Sequence, residues 1–245
     1  MTNGATMDPR TDGGQSGADD WASDLALLGW TSKAEGVAAI LRKRIAEGKH
    51  RPDDRLSEEE ICRTVKVSRN TLREAFRVLT HEGLLEHRLN QGVYVRRLTI
   101  SDVVDLYRLR RLLEPAAIRD LRVRPAGLDR LAVAVADADS PAASQDSRLL
   151  GTANIRFHQA LTALAGSPRV DELMGRVLAE LRLVFHLMPD LREFHQAYCE
   201  RNRHILRLLE NGHGAEAADY LTAYLDDAEN ELVTAYGKLP ETTTH

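Results

Sequence analysis

Residues 55–95, RLSEEEICRTVKVSRNTLREAFRVLTHEGLLEHRLNQGVYV, decide the fold of this chain. Ser57 stands before the first run of apolar residues with helical spacing, and Glu60 follows three positions later. This pair is typical of a capping box, in which both side chains bond free amides at the start of a helix. The pattern therefore predicts a helix over residues 58–64, followed by a turn at residues 65–67.

A second capped helix follows directly. Ser68 is a preferred N-cap residue, and Gly83 suits the left-handed position just beyond a helix. The inward face of this helix is apolar: Leu72, Ala75, Phe76 and Leu79. Its outward face is basic and polar, as the major groove of DNA requires: Arg69, Asn70, Arg73 and Arg77. An arginine-bearing face is more often simply a solvated one, so this helix alone does not establish DNA binding.

Two β-prone runs, residues 84–88 and 93–97, come next and flank Asn90-Gln91-Gly92, which has the turn chemistry of a hairpin. Two capped helices, a short turn and a hairpin in this order form a far rarer pattern than any one of them. The pattern predicts a winged helix-turn-helix that binds double-stranded operator DNA. The expected DNA contacts are Arg55, Ser68, Arg69, Asn70, Thr71, Arg73, Asn90, Gln91 and Gly92.

This stretch resembles the winged-helix domain of the GntR family of bacterial transcription regulators. The segments that carry the resemblance are Pro52, Arg55-Leu56-Ser57-Glu58, Val67-Ser68-Arg69, Arg73-Glu74-Ala75, Glu82-Gly83-Leu84 and Asn90-Gln91-Gly92. One pair departs from the family pattern, because Asn70-Thr71 stands where Thr-Pro is commoner. Both side chains can hydrogen-bond phosphate or base edges, so the departure concerns the operator sequence.

The charge distribution agrees with a DNA-binding segment. Residues 31–97 carry 15 Lys and Arg against 10 Asp and Glu, a net of +5. Residues 98–245 carry 17 against 22, a net of −5, and residues 1–30 carry 1 against 5. The two cysteines, Cys62 and Cys199, have no close spacing, so neither a disulfide framework nor a zinc finger is indicated.

The chain is predicted to be mostly α-helical and to have three parts. Residues 1–30 form a tail that we expect to be disordered, because residues 1–20 have almost no large apolar side chains. Residues 31–97 form the winged helix, beginning with an amphipathic helix over residues 33–48. Residues 98–240 form an all-α bundle of six helices near 101–122, 125–138, 146–165, 168–187, 190–211 and 214–236. Residues 96–100 are the linker, and Ser101 with Asp102 is the expected cap of the first bundle helix.

The bundle resembles the FCD effector domain that follows many GntR-type winged helices. The segments that carry this looser resemblance are Arg110-x-x-Leu113-Glu114-Pro115, Asn154-x-x-Phe157-His158-x-x-Leu161, Ile205-Leu206, Ala217-Ala218 and Leu225. The resemblance implies a homodimer joined through this domain and a small-molecule effector bound inside it.

Many FCD domains also bind a divalent metal through an Asp and a His one helical turn apart and two later His residues. At those positions this chain retains only His158; the others are Asn154, Asn202 and Tyr224. Amide oxygens are weak ligands and a phenol must first lose its proton, so a tightly bound metal is not expected. His195, seven residues before Asn202, keeps open an alternative in which His158 binds metal with Asn154, Asn202 or His195.

The favoured hypothesis keeps a binding site without the metal. Its polar lining comprises Arg110, Asn154, His158, Asn202 and Tyr224. A buried cation such as Arg110 requires an anionic partner, so the expected effector is a small organic acid. Two simpler interpretations stay open: His158 bonds only a neighbour in a filled core, and Arg110 forms only an i, i+4 ion pair with Glu114.

The sequence thus indicates a transcription regulator, by family default a repressor, whose operator binding responds to an effector. It contains no paired catalytic groups and no phosphate-binding glycine loop, so no enzyme is indicated, although a metalloenzyme with an appended winged helix is the competing class. A third possibility is a regulator whose helical domain only dimerises. No signal peptide is recognised, and the longest apolar run, Leu131–Ala136, is too short to span a membrane. We therefore expect a cytoplasmic protein without membrane contact.

Overall fold

A computed structural model describes residues 32–188 and 191–238 of the chain. The predicted tail of residues 1–30 and the proline at position 189 lie outside these residues. In the described residues, ten helices accompany one small sheet of three strands. The predicted class, a mostly α-helical chain with a winged helix-turn-helix and a helical bundle, is confirmed.

The N-terminal unit has the predicted elements and one additional strand. Its elements are α1 (Lys33–Ala46), β1 (Arg55–Leu56), α2 (Glu58–Val65), α3 (Arg69–His81), β2 (Leu85–Arg88) and β3 (Gly92–Val95). The strands pair antiparallel in the order β1-β3-β2. Strand β1 was not predicted, because two residues are too few to show an alternating pattern. Its pairing with β3 places Arg55 opposite Tyr94, and so beside the wing.

The predicted serine cap of α3 is present, and of the capping box predicted for α2 only the Ser57 half is formed. The Ser57 Oγ accepts a hydrogen bond from the Glu60 amide at 3.3 Å, and the Ser68 Oγ accepts one from the Thr71 amide at 3.1 Å. Between the helices Lys66 has a φ of +56°, which turns the chain sharply. The two caps and this turn fix the angle at which α3 leaves α2.

Helix α3 ends at the predicted glycine. Gly83 has a φ of +75°. The Leu84 amide bonds the Leu79 carbonyl at 2.9 Å, and the Gly83 amide bonds the Thr80 carbonyl at 3.1 Å. This pair of bonds is the Schellman arrangement, which satisfies the last carbonyls of the helix and turns the chain into the wing.

The C-terminal unit contains six long helices and a short one. They are α4 (Ile100–Ile118), α5 (Leu128–Ala138), α6 (Pro141–Gln145), α7 (Ser147–Ala163), α8 (Pro168–Phe185), α9 (Leu191–Glu210) and α10 (Gly214–Tyr236). The five-residue α6 was not predicted, because five residues are too few to show a helical period. Pro125 does not begin α5, which starts three residues later, after Gly127.

The predicted cap of α4 was wrong. Thr99, not Ser101, is the N-cap residue, and Asp102 is the third residue of the helix. The Thr99 Oγ1 accepts from the Asp102 amide at 3.1 Å, and the Asp102 carboxylate accepts from the Thr99 amide at 2.7 Å. Reciprocal bonding of this kind requires a spacing of three, which Thr99 and Asp102 have and adjacent residues lack.

Helix α7 lies at the centre of the bundle, in contact with α4, α5, α8 and α9, while α10 packs against α4 and α9. This arrangement places one face of α4, α7, α9 and α10 around a common interior. In residues 32–188 and 191–238, no helix is both long and apolar enough to cross a membrane.

Replacement of Gly83 by alanine should destabilise the protein. The left-handed φ costs a side chain about 1–2 kcal/mol. The new Cβ would also lie 2.6 Å from the Glu180 Cδ, so that side chain must move. Urea unfolding of the full-length protein should show the loss. The matched control is Gly175→Ala inside α8, where a Cβ meets no atom within 4 Å, and we expect a gain of about 0.5–1 kcal/mol there. Equal effects at both positions would contradict this account of Gly83.

Candidate functional site

The first candidate site is the exposed face of α3. Arg69, Asn70 and Arg73 are exposed there, while the opposite face is buried through Leu72, Ala75, Phe76 and Leu79. Arg69 is the first residue of the helix, so its side chain projects from the N-terminal turn. In winged and related helix-turn-helix domains, residues of this turn meet base edges in the major groove.

The hydroxyl groups at this N-terminus have a structural role in the unbound protein. The Ser68 Oγ caps the helix and lies 2.9 Å from the Thr71 Oγ1. Both hydroxyls remain at the helix N-terminus, where backbone amides and the helix dipole favour an anionic phosphate. The structure therefore brings Ser68 and Thr71 together at the start of α3, where the Ser68 hydroxyl caps the helix.

Arg73 is paired with Glu58, an interaction that sequence reasoning missed. Its Nε lies 3.1 Å from Glu58 Oε1 and its Nη2 lies 3.2 Å from Oε2. Glu58 is the first residue of α2, and only the angle between α2 and α3 brings it to Arg73. For Arg73 to contact a base, it must leave this carboxylate. Arg69 has no ion pair among the described residues, so it is the more accessible cation.

The wing, formed by β2 and β3, follows α3 and is held by the side-chain contacts of Arg88. Arg88 pairs with Asp53 at 2.6 Å and with Glu86 at 2.7 Å, and its guanidinium lies 4.3 Å from the centre of the Tyr94 ring. The turn is exposed at Asn90, Gln91 and Gly92.

The positive φ values of the wing turn, +59° at Asn90 and +111° at Gly92, explain its Asn and Gly. A Cβ on Gly92 would lie 3.5 Å from the Arg55 Nε, so the structure places Arg55 directly against the turn. Arg55 is exposed there.

The second candidate site is a buried network of polar side chains from α4, α7, α9 and α10. All five residues predicted to line a ligand site belong to it, and Glu114 joins them. The hydrogen-bonded contacts are Arg110 Nε to Glu114 Oε1 at 2.6 Å, Glu114 Oε2 to His158 Nδ1 at 2.6 Å, His158 Nε2 to Tyr224 Oη at 3.0 Å, Tyr224 Oη to Asn154 Oδ1 at 3.2 Å and Asn202 Nδ2 to Asn154 Oδ1 at 2.9 Å. We call these six residues the polar network.

Glu114 is the anion of the polar network. Burial alone would raise the pKa of its carboxyl, but the Arg110 guanidinium and the His158 ring outweigh burial and hold this pKa at about 2. Glu114 is therefore ionised at neutral pH and already neutralises Arg110. The sequence showed this pair only as a possible i, i+4 contact; that its carboxylate also bonds His158 depends on the packing of α4 against α7.

His158 is neutral at neutral pH, because burial lowers its pKa more than Glu114 raises it. Its Nδ1–H then donates to Glu114, and its Nε2 accepts the Tyr224 hydroxyl hydrogen. That hydroxyl has a single hydrogen, so it can serve either His158 or Asn154 at any moment. Protonation of His158 at Nε2 would reverse the second of these bonds, so that Nε2–H donates to the Tyr224 oxygen, and would release the Tyr224 hydrogen to Asn154.

Some buried polar atoms near the network have no partner among the described residues. They are the Arg110 Nη2, the Asn202 Oδ1 and both ring nitrogens of His195. An unpaired buried polar group costs about 1–3 kcal/mol. Hydrogen bonds to a small polar molecule would remove this cost.

His195 lies apart from the hydrogen bonds of the network. It is 1 % exposed, and its ring packs edge-on against Phe185 and Phe194, with centroids 4.6 Å and 5.2 Å away. The Nε2 faces Gly151, where a Cβ would lie only 2.8 Å away. Gly151 is therefore the residue that makes room for this histidine.

The side chains at the metal positions of FCD domains converge here but do not fit a metal. Both nitrogens of His158 are hydrogen-bonded, Asn154 and Asn202 are neutral amides, and burial raises the pKa of Tyr224 well above 10. Within the described part of the chain, no group of three or more His, Cys, Asp and Glu side chains could hold a metal ion. We therefore derive no chemistry through a metal at this position.

An exposed basic helix with a rigid wing, attached to a helical bundle with a polar interior, defines a DNA-binding regulator with a separate second domain. Two family models match the chain accordingly. The model of bacterial regulatory proteins of the gntR family matches residues 33–95, and the FCD domain model matches residues 105–227.

Known proteins agree with this assignment. The chain is 45 % identical to a GntR transcriptional regulator of known structure from Rhodococcus sp. RHA1, over 84 % of this chain and 100 % of that one, with a TM-score of 0.81. It is 26 % identical over 215 residues to the galactonate operon transcriptional repressor of Escherichia coli, covering 76 % of this chain and 92 % of that protein. Escherichia coli McbR/YncC, at 17 % identity and a TM-score of 0.71, shares the fold. The chain belongs to the GntR family of bacterial transcription regulators and carries an FCD domain.

Acid should destabilise the protein partly through His195. Burial lowers the pKa of His195 to about 3, whereas the unfolded chain takes up the proton near pH 6.5. Stability is therefore present above about pH 6.5 and is lost as the pH falls toward 3, with about 2 kcal/mol lost between about pH 7 and about pH 5. His195→Leu should remove this part of the loss in urea unfolding at the two pH values. His213→Leu, at an exposed position, is the control, and an unchanged pH dependence in His195→Leu would refute the assignment.

Proposed function

We propose that this transcription regulator binds its operator as a homodimer and that a small organic acid, bound at the polar network, changes that binding. Residues 31–97 would read the DNA, and residues 98–240 would hold the effector and the dimer contact. The observation that carries the proposal is the set of unpaired polar atoms on Arg110 and Asn202, buried in the bundle to which the winged helix is attached. Because several relatives, among them the galactonate operon repressor, are named as repressors, repression is the proposed outcome. Action on operator DNA makes the bacterial cytoplasm the proposed location.

In the DNA complex, α3 would lie in the major groove, with Arg69 and Arg73 contacting base edges. Asn70 and Thr71 would assist them, and Ser68 would place the helix N-terminus against a phosphate. Arg55 and the wing turn at residues 90–92 would contact the adjacent backbone. The +5 net charge of residues 31–97 supplies the attraction that brings this face to DNA.

The effector would bond the unpaired atoms at the polar network. Its carboxylate would accept from the Arg110 Nη2, and its other polar groups would meet Asn202, with Asn154, His158 and Tyr224 beside them. Because Glu114 already neutralises Arg110, a second carboxylate is best accommodated when His158 also takes up a proton. Binding of the acid should therefore tighten as the pH falls within the range where the protein stays folded.

Three alternatives differ from this proposal. The five hydrogen-bonded contacts inside the polar network also suit a bundle that only dimerises, with water at the unpaired atoms. A metal-dependent regulator is disfavoured by the donor set at Asn154, His158, Asn202 and Tyr224. The metalloenzyme class has no support from the comparisons, which match regulators.

Replacement of Arg69 or Arg73 by alanine should weaken binding to operator DNA. Loss of a bidentate contact with guanine should reduce affinity by about tenfold or more and relax selectivity at one base pair. Fluorescence anisotropy at fixed salt, with an operator selected from random DNA by the parent protein, measures both effects. Arg130→Ala, an exposed arginine in the bundle, is the matched control. Parent-like affinity in both variants would contradict the assignment of the reading face.

The protein should be a homodimer in solution. One winged helix covers only half of a palindromic site, and a two-fold dimer covers both halves. Light scattering at micromolar concentration should give twice the chain mass of 27.3 kDa. Deletion of residues 1–97 should leave the dimer intact if the contact lies in the FCD domain, and a monomeric parent would refute the proposal.

Binding of an organic acid should depend on Asn202 and require no metal. Galactonate, the acid in the name of one relative, is the first probe, followed by other small hydroxylated and simple carboxylic acids. Calorimetry should show binding of one of them that Asn202→Asp weakens, because a carboxylate would repel the acid. One equivalent of zinc or nickel that His158→Ala removes would overturn the metal-free proposal, with His195 as the second ligand to examine.

A further inference from the structure

Helix α8 connects the bundle to the carboxyl ends of α1 and α3, two helices of the winged-helix unit. Glu180 meets the end of α3, because its carboxyl group lies against Gly83, the residue just beyond that helix. Arg182 meets the end of α1, because its Nε donates to the Ala46 carbonyl at 2.7 Å. Two side chains, two positions apart on one helix, thus contact the ends of two helices of the DNA-binding unit.

Each of these side chains is also tied to a helix of the polar network. The Arg182 Nη2 donates to the Thr152 Oγ1 at 2.7 Å, and Thr152 lies on α7, which carries Asn154 and His158. Glu180 accepts from the Arg96 Nη1 at 2.8 Å.

The other terminal nitrogen of Arg96, Nη2, donates to the Asp102 carboxylate at 2.7 Å. Asp102 lies in the first turn of α4, which carries Arg110 and Glu114. The connections therefore run from α7 and α4 to the ends of α1 and α3.

The position of Glu180 is unfavourable for stability by itself. The carboxyl end of a helix has a partial negative charge, so a carboxylate there is repelled. Burial raises the pKa of Glu180 despite the pairing with Arg96. Arg182 makes the opposite, favourable contact, since a cation suits the end of α1. Helix α3 is the helix proposed to read the DNA, and we call it the reading helix. A carboxylate at its unfavourable end points to a role of Glu180 in placing this helix.

We propose that Glu180 and Arg182 are positioning residues for the reading helix: they fix the placement of each winged helix on its bundle and transmit changes in the polar network to it. In a dimer, that placement sets the distance between the two α3 helices and so the spacing of half-sites. A connection of this kind influences DNA binding only by favouring one placement over another. The first part rests on the proposed homodimer, and the transmission rests on the polar network as effector site.

The test of positioning compares half-site spacings. Duplexes carry the selected operator with its half-sites at the natural spacing, one base pair closer or one base pair farther apart, and a further duplex carries a single half-site. Glu180→Gln and Arg182→Met should reduce the parent's preference for its natural spacing by about fivefold. Affinity for the single half-site should stay as in the parent.

Control variants on the same helix are Glu172→Gln and Arg169→Met, which remove the same charges from exposed positions. Arg182→Lys keeps the cation but not the two-pronged donor, so it should recover only part of the preference. A parent without spacing preference would overturn the dimer and this inference together. Two results would overturn only this inference. In one, the parent prefers its natural spacing and Glu180→Gln and Arg182→Met retain that preference. In the other, both variants lose as much affinity for the single half-site as for the full operator.

Transmission is tested without any effector. Tyr224→Phe removes one hydroxyl from the polar network and should change hydrogen exchange of the amides near the ends of α1 and α3. In the double variant Tyr224→Phe with Arg182→Met this change should disappear. The same change in both backgrounds would refute transmission through Arg182. Because no acid is added, failure to find an effector leaves this result interpretable.

Discussion

Burial of the Glu114 carboxylate is the constraint on which the bundle depends. Its side chain is fully buried, and the desolvation of an ion is tolerated only when its partners are close and well aligned. Arg110 supplies one partner from its own helix, and His158 supplies the other from α7, both at 2.6 Å. Removal of one partner from such a pair typically costs about 3–5 kcal/mol. The network thus requires α4 and α7 to meet in one register.

The wing and the interior of the bundle differ in how their polar groups are satisfied. In the winged helix, caps, a left-handed turn and paired side chains around Asp53 satisfy the backbone and the charges of the wing. In the bundle, the Arg110 Nη2 and the Asn202 Oδ1 are buried without a partner among the described residues. Helix α8 connects that interior with the DNA-binding unit through Glu180 and Arg182.

Sequence and structure agree best where interactions are local. The caps at Ser57 and Ser68 and the left-handed Gly83 each depend on residues within a few positions, so the residue types alone predict them. The cap of α4 failed because two plausible cap residues stand close together and only the spacing to Asp102 selects Thr99. Strand β1 and helix α6 were missed because neither is long enough to show a period.

The residues themselves determined that this chain has a winged helix with an exposed basic face, followed by a helical bundle, since these features follow from periodicity, capping and charge. The resemblance to FCD domains indicated which polar residues share a site. Only the tertiary structure decided how those residues are used: Glu114 neutralises Arg110, Glu58 holds Arg73, and His195 fits against Gly151. Each of these contacts depends on the angle and register between helices distant in sequence, and no local pattern encodes such an angle.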